Sequence, residues 1–225
     1  MQKRCLIHDS SRSGHIPQRL RRGSFIFSEF DQANIPHILD VVAADWSPPQ
    51  ADMAFKRFYA EYTVRHNIWD AKYSLQATDD EGHFLVACFS AERGAKEGLE
   101  KADKWILDQT DGGKLLTEEK KNSFAVSRSY LSMMDKKTAA LMNDDDIKLV
   151  LFVSCQKGAG FPLLEKFKAE LKAHGYKNMY LWTDSDCNYD WYFRRGYELV
   201  EKGIYEPFSG ENEPYCTFVF RQKLL

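Results

Sequence analysis

The chain has 225 residues, 44% of them hydrophobic and 14% aromatic, enough for a sizeable core. A formal charge of −2 gives no general attraction for nucleic acid or an anionic membrane, and no apolar run is long enough to cross a bilayer. Five scattered cysteines (Cys5, Cys88, Cys155, Cys187, Cys216) form neither a CxxC pair nor a Cys/His zinc cluster, so no metal site is expected. Free thiols in a reducing, cytoplasmic setting fit that pattern.

The charge is uneven. Residues 1–22 hold Lys3, Arg4, Arg12, Arg19, Arg21 and Arg22 against Asp9 alone, a net +5 that leaves −7 on the remainder. Such a start has the composition of an organelle transit segment; the reading preferred here is an upstream extension or solvated tail. Residues 1–23 are accordingly set apart as a flexible basic tail, and 24–225 as one domain. "SFIFSEF", Ser24 to Phe30, alternates apolar and polar residues and predicts a strand. Ile35, Ile38, Leu39, Val42 and Trp46 then fall at helical spacing, and "SPPQ" ends that helix. A second helix runs through "ADMAFKRFYAEYTVRHNIW". Its stripe of Phe55, Phe58, Tyr59 and Tyr62 is expected to be core.

"KYSLQATDDEGHFLVACFSAE" predicts two strands joined at Asp79-Asp80-Glu81-Gly82. From Arg93 to Asn143 the chain turns rich in Lys, Glu, Ala and Leu, predicting a helical insert of two or three helices. Asp144-Asp145-Asp146 reads as a turn and cap for the next strand, because three consecutive acids face different ways. Ile147–Ser154 is a nearly continuous apolar strand. Gly158-Ala159-Gly160 breaks it, and Pro162–His174 is an amphipathic helix with Gly175 as its stop. "NMYLWTD" is a strand, "NYDWYFRRGY" a short helix, and "YELVEKGIY" and "YCTFVFRQK" are closing strands. The fold class is α/β, a mixed sheet with helices on its faces.

A strand that ends in a glycine-rich turn at a helix start offers free N–H groups and the positive end of the helix dipole, a setting suited to phosphate. The turn lacks the GK[ST] ending of a P-loop and the GxGxxG of a dinucleotide fold. An ordinary turn that binds nothing is the alternative.

Together with "TDSDCNYDWYFRRGYELV", this region resembles the GNAT superfamily of N-acetyltransferases, most closely from Asp146 to Val200 and by element order from Ser24 to Glu92. Gly158 and Gly160 match the two small positions of that family's Q/R-x-x-G-x-G/A loop; Cys155 takes the Q/R position, with Gln156 one residue on. Gly196-Tyr197 matches the Gly-Phe ending of N-x-x-A-x-x-x-Y-x-x-x-G-F, and Tyr192 its tyrosine. Asn188 stands four residues before Tyr192 where the family has seven.

The resemblance implies a mostly antiparallel central sheet of about seven strands, and acetyl-CoA as co-substrate with no metal. Gln156, Lys157, Gly158, Ala159, Gly160 and Phe161 would hold its diphosphate. Leu151, Phe152 and Val153, facing Trp182 and Thr183 across two splayed strands, would hold pantetheine, with Asn188 a further contact. Tyr192 would be the acid that protonates the leaving thiolate, with Tyr189 its competitor and a purely structural tyrosine the alternative. Asp184 and Glu92 are candidates for the base, each otherwise a surface carboxylate.

The acceptor would be a small-molecule or peptide amine. It would lie between the first two helices and the loop "YEPFSGENEPY", whose Glu206, Glu211 and Glu213 carry negative charge. The insert could serve as lid, homodimer contact or substrate wall. A non-catalytic acyl-CoA binding or sensing module and a plain interaction protein are the rival readings.

Overall fold

The structure, a computed structural model, describes residues 25–47, 51–94 and 97–224; the basic tail at 1–23 and Cys5 lie outside them. Seven strands make one open sheet: β1 (Ile26–Ser28), β2 (Tyr73–Thr78), β3 (Phe84–Glu92), β4 (Asp146–Ser154), β5 (Asn178–Asp184), β6 (Glu198–Ile204) and β7 (Cys216–Lys223). Their order is β1-β2-β3-β4-β5-β7-β6, and every pair is antiparallel except β4–β5. The helices are α1 (Ile35–Asp45), α2 (Met53–Ile68), α3 (Glu97–Gln109), α4 (Glu118–Leu141), α5 (Gly160–Ala173) and α6 (Asp190–Arg194).

The expected elements form, with shifted ends. β1 is shorter than Ser24–Phe30 because Asp31 N–H and the Asn34 side-chain amide both turn to Gln76 Oε1, at 3.1 and 3.0 Å, drawing the chain off the sheet edge. α5 starts two residues before Pro162, since a proline in the first turn gives up only an N–H that has no helical partner. The 93–143 insert resolves into two helices, α3 and α4, the latter capped by Thr117 Oγ1 accepting from Lys120 N–H. The acidic triplet is a turn. Arg93 takes Asp144, Lys177 takes Asp145, and Asp146 accepts from Asn143 N–H at 2.8 Å and Asn178 Nδ2 at 2.6 Å.

Two cores sandwich the sheet. On one face Leu163, Leu164, Phe167 and Leu171 of α5 pack on Ile147, Leu149, Met179, Leu181 and Phe220. On the other, Ile38 and Val42 of α1 and Ala60 and Val64 of α2 pack on Ala87, Phe89, Leu151 and Val153. Strict alternation would keep Ile147, Leu149, Leu151 and Val153 together. They part company because β4 pairs Ser90 with Leu149 but Phe89 with Leu151, leaving Val150 as an extra residue that reverses the facing. The aromatic stripe of α2 is core, as expected. Phe55, Tyr59 and Tyr62 surround Phe124 of α4, and Phe58 lies 4.9 Å from Trp105 of α3.

Candidate active site

The parallel pair β4–β5 is short. Asp146, Ile147 and Lys148 pair with Asn178, Met179 and Tyr180, and the register ends there, although both strands continue. An extended strand points alternate N–H and C=O groups to opposite sides. Beyond Lys148, those of β4 that point away from β3 meet no strand, and those of β5 that point away from β7 meet none either. This gap contains Leu151, Phe152 and Val153 on one wall and Trp182 and Thr183 on the other.

At the mouth of the gap β4 runs into the glycine turn. Cys155 N–H is spent on Leu85 O at 2.8 Å and Ala159 N–H on Gln156 O at 3.2 Å. Among the described residues no backbone acceptor faces the N–H of Gln156, Lys157 or Gly158. The N-cap of α5, Ala159, supplies no side-chain acceptor either, so the first-turn amides are open. Lys157 and Gly158 are exposed, Gln156 half-buried and Ala159 buried in the α5 core.

The two glycines do different things. Gly158 sits at φ +93°, where L side chains are strained, and a Cβ there would meet nothing within 4 Å. Its open side suits close approach of a ligand. At Gly160 a Cβ would come within 2.7 Å of Phe152 Cζ, so that glycine makes room for a ring of the protein itself.

Phe152 therefore has a packing role beside its backbone. Its ring lies between Gly160 and Trp191 of α6, 6.2 Å centroid to centroid. Tyr192 is half-buried against Phe220 of β7 at 5.5 Å, Tyr197 at 5.3 Å and Trp191 at 5.2 Å. Tyr189 stacks on Phe218 at 4.3 Å. Of the α6 aromatics Trp191 reaches the β4 wall, while Tyr192 and Tyr189 lie over β7, the next strand beyond β5. Asn188 is in the turn before α6, its carbonyl accepting from Trp191 N–H at 3.0 Å. Thr183 is buried and faces the α5 side, in step with Met179 and Leu181.

Sequence reasoning passed over Trp191, Arg195 and the insert's Tyr130 and Asp135. Arg195 ends α6 with its guanidinium 3.9 Å from the Phe161 ring centroid, adding a cation beside the open end of α5. "FRRGY" held that signal in plain view. Tyr130 and Asp135 could not be found that way, because the sequence does not say which face of a long insert helix meets the sheet.

Asp184 and Glu92 fare differently as bases. Glu92 is opposite Ile147, at the closed end of the β4–β5 pair, held by Lys72 at 2.5 Å and Tyr176 Oη at 2.7 Å. Those two hydrogen bonds, first Lys72 and then Tyr176, lower its pKa. It is not at the gap. Asp184 ends β5 in the splayed part, and is 7% exposed. Burial pushes its carboxyl up, against hydrogen bonds from Tyr130 and Tyr215 that favour the anion. Among the described residues no cluster of three or more His, Cys, Asp or Glu could hold a metal.

No protein-family model matches the chain, and no curated protein matches it. Solved structures do. A protein of Desulfovibrio desulfuricans assigned to the GNAT family superposes with a TM-score of 0.50 at 9% identity, over 90% of this chain and 100% of its own. The ribosomal-protein-S18-alanine N-acetyltransferase of Escherichia coli gives 0.49 at 9% identity, over 89% and 94%. A Salmonella typhimurium structure named as an acetyltransferase with its cofactor acetyl-CoA gives 0.47 at 11%, over 90% and 95%. The first of these likenesses, over 90% of this chain and the whole of the other, shows the fold: the open seven-stranded mixed sheet with its helices is one shared with a GNAT-family structure.

Proposed function

We propose that this protein is an enzyme, an acetyl-CoA-dependent N-acetyltransferase that acts on a primary amine by direct transfer in a ternary complex. A fold alone does not specify an activity. The observation that carries the reading is local: β4–β5 pairing stops after Lys148 and Tyr180, and an uncapped helix with free turn amides stands at the opening.

The open donors fit a diphosphate. Gln156, Lys157 and Gly158 N–H and the first-turn amides of Gly160 and Phe161 would grip it, with the α5 dipole and Arg195 adding positive potential. Bound acetyl-CoA supplies a thioester activated toward amines. Those amides of the Leu151–Val153 stretch that point away from β3, with Thr183 opposite, orient the thioester and offer hydrogen bonds to negative charge developing on its oxygen. One such donor is typically worth roughly 3 kcal/mol of barrier. Tyr192 donates its phenolic proton to the departing sulfur, since a phenol can pass its proton to a thiolate as charge builds there. Asn188, in the turn before α6, is a further contact to the cofactor.

Thiol release from acetyl-CoA, measured across a panel of primary amines, tests this. Wild type should turn over and Tyr192→Phe should lose about 10²-fold in kcat while keeping its affinity for coenzyme A. Undiminished turnover in Tyr192→Phe would remove that residue from the chemistry and move attention to Tyr189. One observation favours the rival, a non-catalytic acyl-CoA binding module: Tyr192 packs on Phe220 of β7, beyond the wall of the gap. Coenzyme A binding with no thiol release for any amine would support it.

A further inference from the structure

The insert does not stand apart from the site. Tyr130, near the middle of α4, donates its hydroxyl to Asp184 Oδ2 at 2.8 Å, and Asp186 N–H donates to Asp184 Oδ1 at 3.1 Å. Around Tyr130 lie the rings of Trp182 at 5.6 Å, Tyr205 at 4.9 Å, Phe208 at 5.3 Å and Tyr215 at 6.0 Å. Asp184 is thus a carboxylate at the edge of an aromatic cluster packed from α4, the splayed end of β5 and the chain between β6 and β7. A carboxylate so placed needs a reason, because taking a charge out of water is costly and an apolar residue would pack as well.

Position supplies one. Met179, Leu181 and Thr183 of β5 face α5, where the glycine turn lies, so Tyr180, Trp182 and Asp184 face the opposite side. A co-substrate held at the glycine turn enters from the α5 side. A second substrate must then reach the gap from the α4 side, and Asp184 is the carboxylate there on the open part of β5.

Resting on the transferase reading above, we infer that Asp184 takes the proton from the acceptor's ammonium group and that Tyr130 and Tyr215 are positioning residues that hold its carboxylate for that task. The step balances simply. The ammonium N–H bond breaks as its proton passes to Asp184, giving a neutral amine and a neutral acid. The nitrogen lone pair then forms the C–N bond as the C–S bond breaks, and the thiolate takes a proton from Tyr192. The second proton that the nitrogen must lose to become an amide restores the Tyr192 phenol, and Asp184 returns its proton to water. The rings around Asp184 and its negative charge suit a cationic amine carried on an apolar or aromatic body, and disfavour one flanked by its own carboxylate.

The titrating neighbours are Tyr130 from α4, Tyr215 before β7, and Asp186 and Cys187 from the turn after β5. Burial first, and then the charge of Asp184, push both phenols up, so both remain donors across the working range. Burial raises Asp184, which makes its carboxylate a better proton acceptor than an exposed one. Tyr130 opposes that rise by bonding the anion. Removing its hydroxyl should lift the Asp184 pKa further and move the ascending limb of the kcat/KM profile to higher pH, by about one unit.

The experiment measures coenzyme A affinity, thiol release with 2-phenylethylamine, n-butylamine and glycine, and the pH profile, in wild type, Asp184→Asn and Tyr130→Phe. Expected are a loss of at least about 100-fold in kcat/KM for Asp184→Asn with coenzyme A affinity unchanged, and the upward pH shift in Tyr130→Phe. A merely structural Tyr130 would lower the rate without moving the limb. Asp184→Asn within threefold of wild type, or an unmoved limb in Tyr130→Phe, overturns the inference while leaving the transferase reading intact. Should Asp184→Asn fail to fold, the pH limb of Tyr130→Phe decides alone. Wild type that binds coenzyme A but releases no thiol with any of these amines overturns both.

Discussion

At the scale of single residues, the glycine turn shows how one motif can serve two masters. Gly158 is required by its backbone, with φ at +93° and an open Cβ side; Gly160 is required by its neighbour, the ring of Phe152. The two should therefore fail differently when replaced. Gly158→Ala should strain the turn by about 1–2 kcal/mol and weaken coenzyme A binding, since the same amides must re-aim. Gly160→Ala should cost about 1–3 kcal/mol through the clash with Phe152. Denaturant unfolding of Gly160→Ala alone and with Phe152→Leu checks this, and the second change should recover part of the loss. Purely additive losses would show that the ring is not what the glycine accommodates.

Some of this was legible in the sequence and some was not. "GAG" after an apolar strand announces a turn with special backbone demands, and the spacing from Tyr192 to Gly196-Tyr197 announces α6. Nothing in the spelling of Phe152 reveals that its ring needs the space above Gly160, because that depends on the bulge at Val150 turning the strand over. Likewise "Asp184" reads as any acid at a strand end until α4 is laid across it.

At the scale of elements, the question is what fixes the insert to the sheet. Asp135 of α4 accepts from Lys148 Nζ of β4 at 2.8 Å and from Trp182 Nε1 of β5 at 3.1 Å, and bonds His66 Nε2 of α2 at 3.1 Å. One carboxylate thus joins four elements at the point where β4 and β5 part. Burial opposes its ionisation, but the His66 hydrogen bond and the Lys148 charge outweigh that and hold it well below the usual carboxylate range.

A depressed folded pKa contributes stability above the unfolded value of about 3.9, and that contribution is lost as pH falls further toward the folded value. Asp135→Asn should therefore cost about 2–4 kcal/mol at neutral pH, leaving Lys148 without its counter-charge. The difference from wild type should shrink below about pH 4. Urea unfolding at pH 7 and pH 3.5 measures it; a difference independent of pH would mean that Asp135 acts by shape alone.

The element order was readable because periodicity changes cleanly along the chain, from the alternation of "SFIFSEF" to the helical spacing of Leu164, Phe167 and Leu171. The insert was readable only as helix. Its docking rests on long-range partners, Asp135 to Lys148 and Trp182, and Tyr130 to Asp184, which no local pattern encodes.

For the whole molecule, two cores clamp a sheet that is continuous except where β4 and β5 separate, and the glycine turn, α6 and the insert all converge on that separation. Among the described residues no helix is long and apolar enough to cross a membrane. If the separation is the cofactor's seat, binding must stabilise the fold that forms it. Acetyl-CoA at about 100 times its Kd should add about 2.7 kcal/mol, or about 5–10 °C in Tm for a chain of this size.

The most direct test follows the backbone itself. In an amide-resolved NMR titration with coenzyme A, the largest shift changes should fall on Gln156, Lys157, Gly158, Gly160 and Phe161, followed by the unpaired stretch of β4. Unchanged amides in that turn, or changes centred on another part of the surface, would contradict the account.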